Sequence, residues 1–172
     1  AITDRRISLD TAKRYGVTSD DCKQYYPYYD QNGKLIGSKV RTVETKEFST
    51  RGDMRQNTLF GQQLFKTGGR YVTVVEGELD ALAAYEMLGS RYPVVSVSKG
   101  AGGAVKDFKQ NLEWLEGFEN VVICFDNDAA GKEAAEKCAQ VLSPNKAKIV
   151  TLGAYKDASD YLKENKVRQF TA

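Results

Sequence analysis

Histidine is absent from the 172 residues, and there are only three cysteines. Without an imidazole no His-based triad can form, so acid–base work falls to carboxylates, lysine, tyrosine or cysteine. Cys22, Cys124 and Cys138 are widely spaced and include no Cys-x-x-Cys pair, which leaves a structural zinc site short of ligands. An odd, sparse set points to a reducing compartment. Cys124 lies in an apolar run and Cys138 on an apolar helix face, and both read as buried small hydrophobes. No run approaches the roughly 18–20 apolar residues of a membrane span, which excludes a transmembrane protein. A secretory leader is missing too: Ile2 and Ile7 stand among Asp4, Arg5 and Arg6. The first residue is Ala rather than Met, so the chain is expected to be part of a longer one.

What is present suits an ordinary globular domain. The chain is 41% hydrophobic and 28% charged, long enough to bury a core without metal or disulfide. Net charge is only +2 but uneven. Residues 1–75 carry 13 Lys+Arg against 8 Asp+Glu, and residues 76–172 carry 12 against 15. A basic lobe for phosphates beside an acidic lobe for metal would give such a split, but so would chance on solvated faces.

The two parts also differ in pattern. Ser8 and Gly16 bracket a short helix over 9–15. Asn32-Gly33 between strand-like runs predicts a hairpin, because both residues tolerate positive φ. The alternation continues through Phe48, and Leu59-Phe60 reads as a short apolar anchor. Residues 1–68 are thus a small antiparallel β-rich lobe, basic in character, with Gly68-Gly69 as the expected hinge. From residue 69 to 172 strands alternate with helices. Strands are predicted at 71–75, 93–97, 121–125 and 147–152, and helices at 78–88, 104–116, 129–141 and 158–165. Leu79, Leu82, Ala83 and Met87 are expected on one buried helix face. Continuous apolar strands separated by helices predict an α/β fold, a parallel sheet with flanking helices.

In such a sheet ligands bind beyond the carboxyl ends of the strands, and here those ends are acidic. The first ends in Glu76-Gly77-Glu78 with Asp80 following, the third in Asp126-Asn127-Asp128, and Lys156-Asp157 follows the fourth. A single acid at such a junction often only caps a helix. Several packed together repel one another unless a cation or proton neutralises them. Their convergence therefore predicts an all-oxygen cup for Mg²⁺, of two-metal phosphoryl-transfer type. The stretch SKGAGGA (98–104) could cradle phosphate, or its glycines could simply allow close packing; it does not match a P-loop. Lys39, Arg41, Lys46, Arg51 and Arg55 fall within 17 residues, and Lys39 and Arg41 alternate with Val40 on one strand face. That arrangement can track phosphates, or be a solvated face. The tyrosines of YYPYY (25–29) are expected in the core or in cross-strand pairs of the hairpin rather than stacked on bases.

VVEGELDAL (74–82), CFDNDAAGK (124–132) and KDASD (156–160) together resemble the three acidic motifs of the TOPRIM fold, which occurs in DnaG-type primases, topoisomerases, RecR proteins and some nucleases. DQNGKLIGSKVR (30–41), LFG (59–61) and GGRYVTVVEGELD (68–80) are similar to the RNA-polymerase domain of primase–helicases of T-odd (T-seven-like) bacteriophages, relatives of the mitochondrial helicase Twinkle. The resemblance spans nearly the whole chain. It implies a TOPRIM parallel sheet preceded by the β-rich lobe. It makes Glu76 the general base or acid of nucleotidyl transfer, and Asp126, Asp128, Asp80 and Asp157 the metal set. Lys39, Arg41, Lys46, Arg55, Lys99 and Lys156 become the nucleotide- and DNA-binding cations.

The implied activity is RNA primer synthesis from NTPs on a single-stranded DNA template during DNA replication. Mg²⁺ is the implied cofactor, with Mn²⁺ as a substitute and no zinc in this segment. Implied partners are template, NTPs, a short RNA primer, the zinc-binding and helicase domains of a full-length chain, and a replicative DNA polymerase, but no membrane. The setting would be the cytoplasm of a phage-infected cell rather than a mitochondrion. Two rivals use the same features: a TOPRIM metal-dependent nuclease, and a non-catalytic DNA-binding lobe of a replicative helicase.

Overall fold

The computed structural model describes residues 2–171. Four antiparallel strands form the first sheet: β1 (Thr18–Ser19), β2 (Lys23–Tyr29), β3 (Leu35–Thr42) and β4 (Phe48–Gly52), side by side in that order. Asp30 shapes the predicted hairpin: its carboxylate accepts the N–H groups of Asn32 and Lys34, and Gly33 turns with φ +79°. Helix α1 (Leu9–Arg14) is capped by the Ser8 hydroxyl at Thr11, and the Ser8 N–H and the Thr11 hydroxyl both donate to Glu86 of the parallel unit.

Four parallel strands form the second sheet, in the order β6 (Val94–Ser96), β5 (Gly69–Val75), β7 (Phe118–Cys124), β8 (Ala147–Ile149). The chain leaves β5 toward one side and returns to β7 on the other, so the topological switch lies between β5 and β7. Helices α2 (Glu78–Met87), α3 (Gly100–Gln110), α4 (Leu112–Glu116), α5 (Ala129–Val141), α6 (Ala158–Lys163) and α7 (Val167–Thr171) complete the fold. None of the described helices is long and apolar enough to cross a membrane.

The expected elements differ from these in five places. Helix α3 starts at Gly100, so most of the Gly-rich stretch is helix and not a loop. The expected 104–116 helix breaks at Asn111, whose side-chain amide bonds back to the Asp107 carbonyl at 2.9 Å and competes with continued winding. Strand β8 stops at Ile149, and α7 was not foreseen. On α2 the buried set is Glu78, Asp80, Ala81, Leu82, Ala83, Ala84, Tyr85 and Met87, while Leu79 is only partly covered. Its first turn lies against the antiparallel lobe, and a polar side chain is acceptable there because it is paired across the junction.

The two sheets share one apolar cluster. Tyr26 and Tyr28 point inward from β2 and meet Phe60, with ring centroids 5.8 and 5.7 Å apart, and Tyr15 lies 5.4 Å from the same ring. Leu82 and Val94 of the parallel unit belong to this cluster. Phe60 also exchanges backbone hydrogen bonds with Ser96, at 2.9 and 3.2 Å, extending the sheet past β6. The segment before Gly68-Gly69 is therefore already tied to the parallel unit, and Gly69 itself opens β5.

Candidate metal centre and the groove beside it

The acidic strand ends meet at the switch point. Val75 and Cys124 lie opposite each other in the sheet, which sets Glu76 beside Asp126 just beyond them. The Asp126 backbone N–H approaches Glu76 Oε1 at 3.4 Å. Gly131 in the first turn of α5 allows this strand end to sit close, since a Cβ there would lie 2.2 Å from the Asp126 carbonyl oxygen. Asp80 comes from the first turn of α2, and Asp157 from the N-cap of α6. One carboxylate oxygen from each of Asp80, Asp126 and Asp157 lies within 4.8 Å of the others.

Second contacts fix these carboxylates. Asp80 accepts the Ser159 N–H at 2.9 Å, which holds α2 to α6. Asp157 accepts the Ser159 hydroxyl and the Asp160 N–H, both at 3.0 Å. Arg5 Nη1 donates to the Ser159 hydroxyl at 2.8 Å.

Crowding shows in the acidities. Burial, with the charges of Asp157 and Asp126 adding to it, pushes Asp80 well above the ordinary carboxylate range. Burial, then the charges of Glu76 and Asp157, raises Asp126 to about 7. Glu76 is raised by burial, partly countered by its hydrogen bonds with Asp126. Three converging carboxylates, of which Asp80 and Asp126 resist ionisation, with only oxygen donors, fit a hard divalent cation.

Asp128 stands apart from the trio: it caps α5 by accepting the Gly131 N–H at 2.7 Å, and Lys156 Nζ lies 3.7 Å from its other oxygen.

A groove of about 210 Å³ runs from this cluster to the antiparallel lobe. Glu78, Asp80 and Asp157 line it together with Arg5, Arg41 and Lys46, Arg5 reaching the acids through Ser159. Here the uneven charge of the sequence becomes local geometry. Lys39 lies beside it, and its ammonium is engaged: 2.9 Å from Glu78, 3.0 Å from the Ser98 carbonyl, and over the Phe48 ring at 4.7 Å. Glu78 also accepts the Tyr28 hydroxyl at 2.6 Å. Arg41 is buried and donates to Gln24 at 3.1 Å. Arg55 lies outside the groove, its guanidinium forked on Asp53 in an exposed turn. Lys99 is exposed at the start of α3.

Arg5 and Ser159 were not singled out from the sequence, and Glu78 and Tyr28 figured there only in the acidic strand end and in the YYPYY run. Register offers a signal for Tyr28: Tyr26 pairs with Lys39 and Tyr28 with Gly37, so Lys39 and Tyr28 share a strand face. Arg5 and Ser159 carry no such pattern.

Residues 73–162 match the Toprim-like family, and residues 1–52 match the N-terminal a+b fold of the bacteriophage T7 DNA helicase/primase. Toprim domains bind divalent metal through acidic residues, and the Asp80–Asp126–Asp157 cluster lies within the matched region. A DNA helicase/primase of Enterobacteria phage T3 is 38% identical over 92% of this chain, which spans 28% of that relative's length. The primase fragment of the bacteriophage T7 primase-helicase is 36% identical and superimposes with a TM-score of 0.92 over 99% of this chain and 72% of that one. A second T7 structure, of lagging-strand DNA polymerase interacting with primase domains bound to an RNA/DNA hybrid and dTTP, matches at 36% identity and TM-score 0.91, covering 99% of this chain and 88% of that one. Both lobes, in the same order and arrangement, are thus shared with these phage proteins, and the chain belongs to the Toprim-type primase domains of the T7-like helicase/primase family.

Proposed function

We propose that this chain synthesises short RNA primers on single-stranded DNA, joining ribonucleoside triphosphates by metal-assisted nucleotidyl transfer. The observation that carries the reading is the groove that Arg5, Arg41 and Lys46 line together with Asp80 and Asp157. A triphosphate needs cationic side chains for its oxygens and a carboxylate-held cation near its α-phosphate, and the groove offers both.

Asp80, Asp126 and Asp157 would hold the cation, Mg²⁺ in the cell with Mn²⁺ able to replace it on the same oxygens. Bound there, a divalent ion lowers the pKa of an attacking hydroxyl and offsets charge on the triphosphate and its leaving pyrophosphate. Glu76 is the acid–base group: its raised carboxyl takes up a proton more readily than a free glutamate. Asp128 keeps α5 and the Asp126 strand end in place, and Lys156 faces Asp128 at the rim. Arg41 and Lys46 bind nucleotide or template phosphates, Lys39 holds the groove wall, and Lys99 and Arg55 are outer contacts to the DNA backbone.

The T7 complex contains an RNA/DNA hybrid, dTTP and a lagging-strand polymerase. By extension, the product hybrid lies along the groove and the primed end passes to a replicative polymerase. Zinc-binding and helicase domains of a full-length protein would supply template choice and tethering, in the cytoplasm of the infected cell.

The test is extension of a short RNA on a single-stranded template with four NTPs and Mg²⁺. NTP-dependent lengthening supports the reading. Cleavage of the labelled strand would replace it with a nuclease, and binding without either reaction would leave a DNA-holding lobe.

A further inference from the structure

Asp107 stands on α3, outside the acid cluster and the groove, yet it is only 4% exposed. Its Oδ2 accepts two hydrogen bonds from one residue, the Ser98 N–H at 2.6 Å and the Ser98 hydroxyl at 2.8 Å. Ser98 forms the turn between β6 and α3. With its N–H and hydroxyl pinned by Asp107, its carbonyl accepts from Lys39 Nζ of the other lobe. Lys39 continues to Glu78, and Glu78 to the Tyr28 hydroxyl.

Asp107, Ser98, Lys39, Glu78 and Tyr28 therefore form one chain of polar contacts between the lobes, and its Glu78 link lines the groove. Buried polar chains are all-or-none: loosening one link leaves its neighbours unsatisfied and frees them to move. Nothing else in the polar contacts of Ser98 fixes this turn so directly, and α3 already has Ala104 and Phe108 to anchor it in the core.

We propose that Asp107 is a positioning residue for nucleotide binding. Through Ser98 it fixes Lys39 and Glu78, and with them the spacing of the basic and acidic side chains that line the groove. This rests on the primase reading, with NTP bound across the groove.

The experiment compares wild type, Asp107→Ala and Asp107→Asn in primer extension, with ATP affinity by calorimetry and the Mg²⁺-induced rise in melting temperature. Expected for Asp107→Ala is a KM for NTP about tenfold higher, the worth of one ordered polar link, with kcat within about threefold. Asp107→Asn, whose amide oxygen still accepts, should recover part of that affinity. The Mg²⁺ shift should stay as in wild type. Unchanged KM in the folded variants overturns the proposal, as does a joint loss of kcat and Mg²⁺ shift, which would mark general loosening. If Asp107→Ala does not fold, Ser98→Ala, which deletes only the hydroxyl bond, should raise KM by a smaller factor, and an unchanged KM there overturns it equally. Wild type that binds ATP but extends nothing removes the primase reading alone, and the variants are then judged on ATP affinity. Wild type that binds no ATP removes both.

Discussion

In the absence of a divalent cation, raising the pH should weaken this protein, and Asp126 is the residue that reports it. An ordinary aspartate titrates near 3.9, and in the folded chain Asp126 is raised to about 7. The folded state therefore holds this proton more tightly than the unfolded chain. The associated stability is complete below about pH 4 and disappears as the pH climbs through 7. Full linkage over three units would be about 4 kcal/mol. Asp126 is only partly buried and its carboxyl is coupled to that of Glu76, so screening reduces this to about 1–2 kcal/mol. For a domain of 172 residues that is a fall of roughly 3–6 °C in melting temperature. The assay is thermal unfolding from pH 5 to 8, with EDTA or with Mg²⁺. Wild type in EDTA should decline across that range, and Mg²⁺ should restore it at the upper end. Asp126→Asn should flatten the decline, melt higher than wild type at pH 8 in EDTA, gain little from Mg²⁺ and lose primer extension. Parallel declines for the two proteins, or an equal Mg²⁺ gain in both, would refute the placement of the repulsion and of the cation.

Lys39→Met should strand the buried Glu78 carboxylate and cost about 3–5 kcal/mol in urea unfolding, and adding Glu78→Gln should recover a large part of that loss. A Cβ at Gly131 would press on the Asp126 carbonyl at 2.2 Å, backbone against backbone. Gly131→Ala should therefore destabilise by about 1–3 kcal/mol and weaken Mg²⁺ binding by calorimetry. Lys46→Ala should lower DNA or NTP affinity and flatten its salt dependence, measured by titration at several ionic strengths. Arg55→Ala, which breaks only an exposed pair with Asp53, should leave the melting temperature unchanged and move affinity less than Lys46→Ala does.

Much of the architecture could be read from spacing. Asn32-Gly33 marked the hairpin, and the apolar runs at 71–75 and 121–125 marked the two central strands. The acids at 76, 80, 126 and 157 were legible because parallel strands all deliver their carboxyl ends to one edge. Asp128 shows what such reading leaves open. An Asp-x-Asp places two acids near each other without saying which one turns back to cap the next helix, and here the second one does. Basic residues were harder still. A lysine on a strand face looks the same in sequence whether it meets solvent, phosphate or a buried carboxylate, and Lys39 meets Glu78, 39 positions away. Arg5 and Ser159 come together only when the chain's first turn docks on α6, and no local pattern encodes a contact 154 residues apart.

The backbone exchange between Phe60 and Ser96 has a consequence for how the molecule comes apart. It covers the outer rim of β6, which would otherwise offer free amides for pairing with another chain. It also adds sheet hydrogen bonds to the shared aromatic cluster as a link between the two lobes. Sub-global opening, with one lobe melting while the other persists, would have to tear this seam first. The Phe60 and Ser96 amides should accordingly exchange with deuterium only through whole-molecule unfolding, at the same free energy as the central strand β5. On the proposed function, substrate would then enter between lobes that stay joined, leaving side chains and exposed turns such as the one carrying Lys46 to admit it.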